Sequence, residues 1–152
     1  MERCFKRIAA LLLAVTLLAA ACSGCVTGRA RFYAKFPPGF TAKEEHFDPE
    51  AFQDSVDYCK YLYESAEGFE NDFRFLPVSE AGVEKVRGYF EDFREWMETC
   101  GRLSEYDFSP DVISDSDYVR IVSNPHFTDY DDYSVWFFDT ESCTLYYVHA
   151  NI

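Results

Sequence analysis

The chain has 152 residues, 48% of them hydrophobic and 18% aromatic, enough for one domain around a single core once a targeting segment is set aside. Its 14 Lys and Arg stand against 27 Asp and Glu, a formal charge of −13, the wrong sign for a protein that grips nucleic acid through phosphates. With 15 Phe and 11 Tyr it is also too aromatic for a disordered acidic tail, because such side chains supply the burial that disordered chains lack.

Arg3, Lys6 and Arg7 precede an apolar run from Ile8 to Ala21. The run is too short to cross roughly 30 Å of hydrocarbon as a helix but fits the apolar core of a secretory signal, so residues 1–21 read as a signal peptide. It ends in Ala19-Ala20-Ala21-Cys22, small residues before a cysteine, which resembles the lipobox of bacterial lipoprotein signals. The resemblance implies that Cys22 is diacylated with fatty acids of the palmitate type and becomes the mature N-terminus, with Cys25 as the second candidate. The pattern departs at Ala19, which stands where Leu is usual, with Leu18 one position early. An ordinary cleavage that leaves Cys22 as a plain thiol and an uncleaved anchor are the alternatives. Each buried methylene contributes ~0.8 kcal/mol, and two chains hold a protein stably on a bilayer. The expected location is therefore outside the cell, on the outer face of its membrane.

Residues 22–47 read as a basic flexible stalk and 48–152 as an acidic domain. Arg29, Arg31, Lys35 and Lys43 are the only charged residues from Cys22 to Lys43, whereas Glu44 to Ile152 holds 26 acidic and 7 basic residues, a net −19. Pro37-Pro38-Gly39 favours an extended spacer over a helix. Basic residues near anionic lipid contribute ~1 kcal/mol each, while the acidic domain is repelled over ~8 Å, so the stalk is expected to lie along the bilayer with the domain held off it. Charge segregation that merely aids solubility and translocation explains the same pattern.

Within the domain, Asp48-Pro49-Glu50 has the form of an N-cap, a first helical proline and an acidic first turn. Phe52, Val56, Cys59, Tyr63 and Ala66 follow at helical spacing and Gly68 supplies a stop, which predicts a first helix. Ser79 caps a second, with Val83, Val86, Phe90, Phe93, Met97 and Cys100 on one face and Gly101 as its end. Gly82 and Gly88 each weaken that helix by ~1 kcal/mol.

The last third changes period. "DYVRIVS", "YSVWFF" and "CTLYYVHANI" read as a three-stranded antiparallel meander, with Asp139-Thr140-Glu141-Ser142 as a hairpin loop. If Phe138 pairs with Cys143, Trp136 lies opposite Leu145, and large apolar groups occupy both faces. The expected class is α+β: two helices on a small three-stranded antiparallel sheet, whose far face is covered by "FRFLP" or the stalk aromatics, or is left open as a binding surface.

Chemical signals are sparse. Asp115 and Asp117 in one loop, and Asp129, Asp131 and Asp132 in another, are oxygen-rich candidates for Ca²⁺, although neither loop has the twelve-residue EF-hand pattern and solvated turns use the same residues. His46, His126 and His149 are too dispersed for a zinc motif, and His149 on the last strand reads first as structural. No nucleophile elbow or phosphate loop is present, no spacing selects a carboxylate pair for hydrolysis, and no cofactor is implied. Cys59 and Cys100 read as small buried thiols, with a disulfide between them as the alternative.

The stretches "GYFEDFREWM" and "DYSVWFFDTESCTLYYVHANI" resemble segments of small uncharacterised exported proteins of Gram-positive, clostridial-type bacteria. That resemblance spans roughly Asp48 to Ile152 and implies a fold without assigning functional residues. The expected role is a tethered envelope lipoprotein that binds a cationic ligand, a cell-wall component or another envelope protein. The alternatives are an envelope hydrolase whose Asp or Glu residues, with His149 or His126, meet only in three dimensions, and a Ca²⁺-stabilised domain.

Overall fold

A computed structural model describes residues 30–48, 55–124, 126 and 130–151. The signal peptide, Cys22, Cys25 and Asp129 lie outside them, as do 49–54 of the expected first helix. The chain divides into two compact units, residues 1–38 and Gly39–Ile152. In the described part of the first, a helical turn at 30–33 brings Phe32, Tyr33 and Phe36 together edge-on at centroid distances of 5.5–6.0 Å.

The second unit is α+β, built on a six-stranded, wholly antiparallel sheet rather than three strands. β1 (Ala42–His46), β2 (Ser55–Leu62), β3 (Leu76–Pro77), β4 (Tyr118–Ser123), β5 (Asp132–Asp139) and β6 (Thr144–Asn151) lie in the order β1-β2-β6-β5-β4-β3. Its helices are α1 (Glu67–Glu70), α2 (Val78–Ala81) and α3 (Val83–Thr99).

Two sequence expectations are corrected here. The segment assigned to the first helix is strand β2 from Ser55 on: Val56 and Tyr58 point to the α3 side, Cys59 and Tyr61 to the other, and all four are buried. β-branched and aromatic residues buried on both faces mark a strand with neighbours on either side, here β1 and β6. Nor does Asp48 cap a helix: its N–H donates to Asp57 Oδ1 at 2.8 Å, and its carboxylate lies 3.7 Å from Arg102. The second correction is the stalk boundary. Ala42–His46, placed in the stalk, pairs with β2 from Ala42↔Leu62 to His46↔Tyr58.

The second predicted helix is present as α3, preceded by the short α2. Gly82, at φ +91°, breaks the two apart, so the helix starts at Val83 and not at Ser79. Val86, Tyr89, Phe90, Phe93 and Met97 are buried as its core stripe. Gly101, at φ +68°, ends it, with Arg102 N–H on the Met97 carbonyl at 2.8 Å and Gly101 N–H on Glu98 at 3.0 Å, the Schellman pattern. At Gly88 a Cβ would come within 2.8 Å of the Tyr130 hydroxyl, so the glycine admits Tyr130 against the helix, where its ring also meets Tyr89 at 5.0 Å.

The meander is present with its register moved by two residues: Phe138 pairs with Leu145 and Trp136 with Tyr147. The loop is Thr140–Cys143 because Asp139, the last strand residue, turns its carboxylate back to accept the Glu141 N–H at 2.9 Å and the Ser142 hydroxyl at 2.6 Å. A shift of two keeps every side chain on its face. Toward α3 lie Tyr133, Val135, Phe137, Val148 and Ala150; away from it lie Trp136, Phe138, Leu145 and Tyr147, all buried as well. Phe40 covers Tyr61 at 5.2 Å, and Phe69 of α1 stacks on Phe138 at 3.8 Å with Phe75 and Tyr63 edge-on to it. Burial by "FRFLP" therefore comes through Phe75, whereas Phe73 is exposed.

Candidate functional site

The acidic loops separate along the sheet. Asp117 is buried, and both carboxylate oxygens are committed: Oδ2 accepts the Ser114 N–H and hydroxyl at 2.7 and 2.9 Å, Oδ1 the Thr140 N–H and hydroxyl at 3.0 and 2.9 Å. Asp115 is exposed in the same turn. Asp131 and Asp132 sit at the other end of β4 and β5, where Asp132 accepts the Asn124 amide at 2.9 Å; a six-residue strand at ~3.3 Å per residue separates the two groups by roughly 20 Å. Among the described residues no three His, Cys, Asp or Glu side chains stand together as a metal would need.

Two further polar groupings have the residue types that catalysis could use. On β1 and β2, Lys60 Nζ bridges Glu44 at 2.7 Å and Asp107 at 2.6 Å, and Asp107 also accepts the Tyr58 hydroxyl at 2.7 Å, beside a shallow pocket of about 370 Å³. Burial pushes the Asp107 carboxyl upward, but the bonds from Lys60 and Tyr58 outweigh it and hold it below the usual range. An ammonium held between two carboxylates is a structural clasp, with its proton fixed on both sides.

The other grouping is a row across three strands, Asp57, His149 and Ser134, in register as Asp57↔His149 and Ser134↔His149. It has the residue types of a nucleophilic triad, but His149 Nδ1 faces the Tyr133 carbonyl at 2.7 Å and Ser134 Oγ at 3.1 Å. A carbonyl accepts only, so Nδ1 carries the proton and has no lone pair with which to take one from Ser134. Asp57 instead accepts the Asp48 N–H, and burial raises its carboxyl. Burial likewise raises Asp92, on α3, where the Tyr133 hydroxyl donates to it at 2.9 Å. The two raised carboxyls lie on opposite sides of the sheet, not in one cleft. His126 stands apart, its N–H on the Asn124 side chain, and His46 pairs with Glu44 at 2.8 Å.

Among the described residues the cysteines are free thiols: Cys59 buried, its thiol pushed up to about 12 by burial, Cys143 half-buried, and Cys100 exposed at the C-cap of α3 rather than in the core.

What the sequence did not reveal is a cleft at the far edge of the sheet. β3 covers only Tyr118 and Val119 of β4, and beyond it Arg120–Ser123 runs along a hollow of about 380 Å³ bordered by Arg74, Leu76, Ala81 and Lys85. Arg120 lies over the Trp136 ring at 4.8 Å, and burial together with the nearby Arg74 charge lowers its pKa. The cleft sets Lys85 and Arg120 beside Glu80, with Arg74 ion-paired to Asp72 at its border. A two-residue strand leaves too faint an alternation to be read from sequence.

No family model matches the chain, and neither a curated protein nor a solved structure is similar to it. Among the described residues no helix is long and apolar enough to cross a membrane.

Proposed function

We propose that the protein is a lipid-anchored extracytoplasmic lipoprotein whose acidic α+β domain acts by binding another envelope component, without catalysis. The lipobox-like Ala19-Ala20-Ala21-Cys22 carries the anchoring half of this reading. The observation that carries the binding half is the uncovered edge of β4 beside its cleft. Support also comes from the commitment of the polar residues elsewhere: Asp117 holds two loops, Lys60 is clasped, and the His149 proton is fixed on the Tyr133 carbonyl.

The anchoring is tested by metabolic labelling with an alkyne fatty acid, comparing the natural chain with Cys22→Ala and following both through membrane fractionation. Label and membrane attachment are expected on the natural chain and absent from the variant. Label retained on the variant moves the attachment to Cys25, and an unacylated chain in the culture fluid overturns the reading.

A further inference from the structure

We infer that the open edge of β4 is a docking site for an extended acidic peptide of a partner protein, which adds as a seventh strand. The inference rests on the binding reading above and names its partner class.

Asn124 N–H bonds the Asp132 carbonyl at 2.9 Å, which fixes the alternation of the β4 ladder. In an antiparallel pair every second residue turns both backbone groups to its partner, so residues 120, 122 and 124 face β5, while 117, 119, 121 and 123 face the edge. On that edge Val78 N–H bonds the Asp117 carbonyl at 2.8 Å and Leu76 pairs with Val119. The next partner in line for Ile121 would be Arg74, but Arg74 N–H is turned to the Asp72 carboxylate at 3.0 Å. β3 thus ends two residues short, and the N–H and C=O of Ile121 and Ser123 point outward with the spacing that strand addition uses. Leu76 and Val122 flank the gap at 50% and 47% exposure.

Charge selects the occupant. Lys85 and Arg120 line the cleft with Glu80, and with Arg74, whose guanidinium is ion-paired to Asp72; the whole stretch from Glu44 to Ile152 carries a net −19. Lys85 stands on the α3 side of the sheet and Arg120, over Trp136, on the other, so carboxylates at both even and odd positions of an added strand meet a cation. Burial and the nearby Arg74 charge lower the Arg120 pKa, and a carboxylate brought beside Arg120 favours its charged form. A second copy of this chain is disfavoured as the occupant, because edge-to-edge pairing sets Lys85 and Arg120 of one cleft against those of the other and brings two acidic domains together.

The test uses the full chain in detergent and a fluorescein-labelled nine-residue peptide of glutamate, valine and threonine, with a counterpart in which lysine replaces glutamate. Anisotropy titration is expected to show saturable binding of the first, weakened by salt, and at least tenfold weaker binding of the second. Ile121→Pro removes an outward N–H without touching the β5 ladder and should weaken binding at least tenfold. Lys85→Glu, at an exposed position on α3, should do the same and guards against misfolding of the proline variant. Equal binding of both peptides, no binding of either, or full affinity in Lys85→Glu overturns the inference. So does a dimer that Ile121→Pro dissolves, since it gives the edge to a second copy. Failure here leaves fatty-acid labelling at Cys22 untouched, so the two readings are separable.

Discussion

Asp117→Ala puts the structural role of this carboxylate to a direct test. The Asp117 side chain is 1% exposed and accepts four hydrogen bonds, joining the Ser114 turn to the β5–β6 hairpin, while its own carbonyl holds Val78 at the start of α2. Hydrogen bonds to a charged group contribute about 1.5–3 kcal/mol each, and a buried donor left unsatisfied costs about 1–3 kcal/mol. The four share one carboxylate and are not additive, and water will reach the Ser114 and Thr140 hydroxyls; the two backbone N–H groups are the durable loss. A destabilisation of about 3–5 kcal/mol follows. For a unit of about 110 residues, unfolding entropy near 2.1 cal/mol/K per residue translates each kcal/mol into about 4 °C, so Tm should fall by about 12–20 °C. Asp117→Asn keeps one acceptor and turns an amide N–H₂ toward two donors, and should fall between the natural chain and Asp117→Ala. The assay is thermal unfolding of the full chain in detergent by circular dichroism, with and without millimolar CaCl₂. A loss under 4 °C refutes the reasoning. A calcium-dependent rise in the natural chain that Asp117→Ala abolishes would show instead that the residue is a metal ligand.

Phe69→Ala removes the one buried residue of α1, stacked on Phe138; a loss of about 3–5 kcal/mol in urea unfolding is expected, and a loss under 1 kcal/mol would show that α1 does not seal that face. Asp92→Asn keeps an acceptor for the Tyr133 hydroxyl while removing a charge that burial disfavours. Because its folded pKa lies above the unfolded one, Asp92 is most favourable below the unfolded value and loses stability as pH rises through the folded value. The asparagine variant should therefore be the more stable at pH 7, with an advantage that vanishes on acidification below the carboxylate range; an advantage that grows in acid contradicts the sign. Cys59, buried with its thiol pushed up to about 12, should resist a maleimide pulse that labels the exposed Cys100, as mapped by mass spectrometry. Equal labelling would mean that β2 opens readily.

The parts of the fold that could be read from the sequence are those where one face alone is buried. The stripe of α3 alternates three and four residues between core and solvent, and its end is fixed by Gly101, so Val86, Phe90, Phe93 and Met97 were legible as core. β2 was not, because Val56 and Cys59 stand three apart as on a helix face, yet both are buried on opposite sides of a sheet. A strand buried on both faces has no polar alternation to betray its period. The hairpin strands were legible, but their register was not, since Asp139 served equally as a loop residue or as the strand end that braces the loop with its side chain. Gly88 looked like a defect in the helix until Tyr130, distant in sequence, was seen to lie against it. For the candidate site, Asp117 was legible as an acidic loop residue, but its four donors come from two loops that only the fold joins.

The two edges of the sheet differ in a way that bears on function. β1 exposes Lys43 and Glu44, with Glu45 half-buried, and ties them down through Lys43 to Glu45 at 2.7 Å, His46 to Glu44 at 2.8 Å, and Lys60 to Glu44 at 2.7 Å. An added strand would have to break or bury those pairs, and charged edge residues are a recurrent guard against such addition. The β4 edge lacks that guard over its last three residues: Ile121, Val122 and Ser123 carry no charge, and β3 stops before reaching them. An unguarded edge is an aggregation hazard unless something limits what approaches. Here the limit is electrostatic, since a domain at net −19 repels its own copies and other acidic chains at long range, while Lys85 and Arg120 attract carboxylates only within about a Debye length of the cleft. Rising salt should thus weaken peptide binding at the cleft and relax the repulsion between copies together. Light scattering and anisotropy read along one salt series separate the two effects, and self-association that falls as salt rises would contradict this account of the edge.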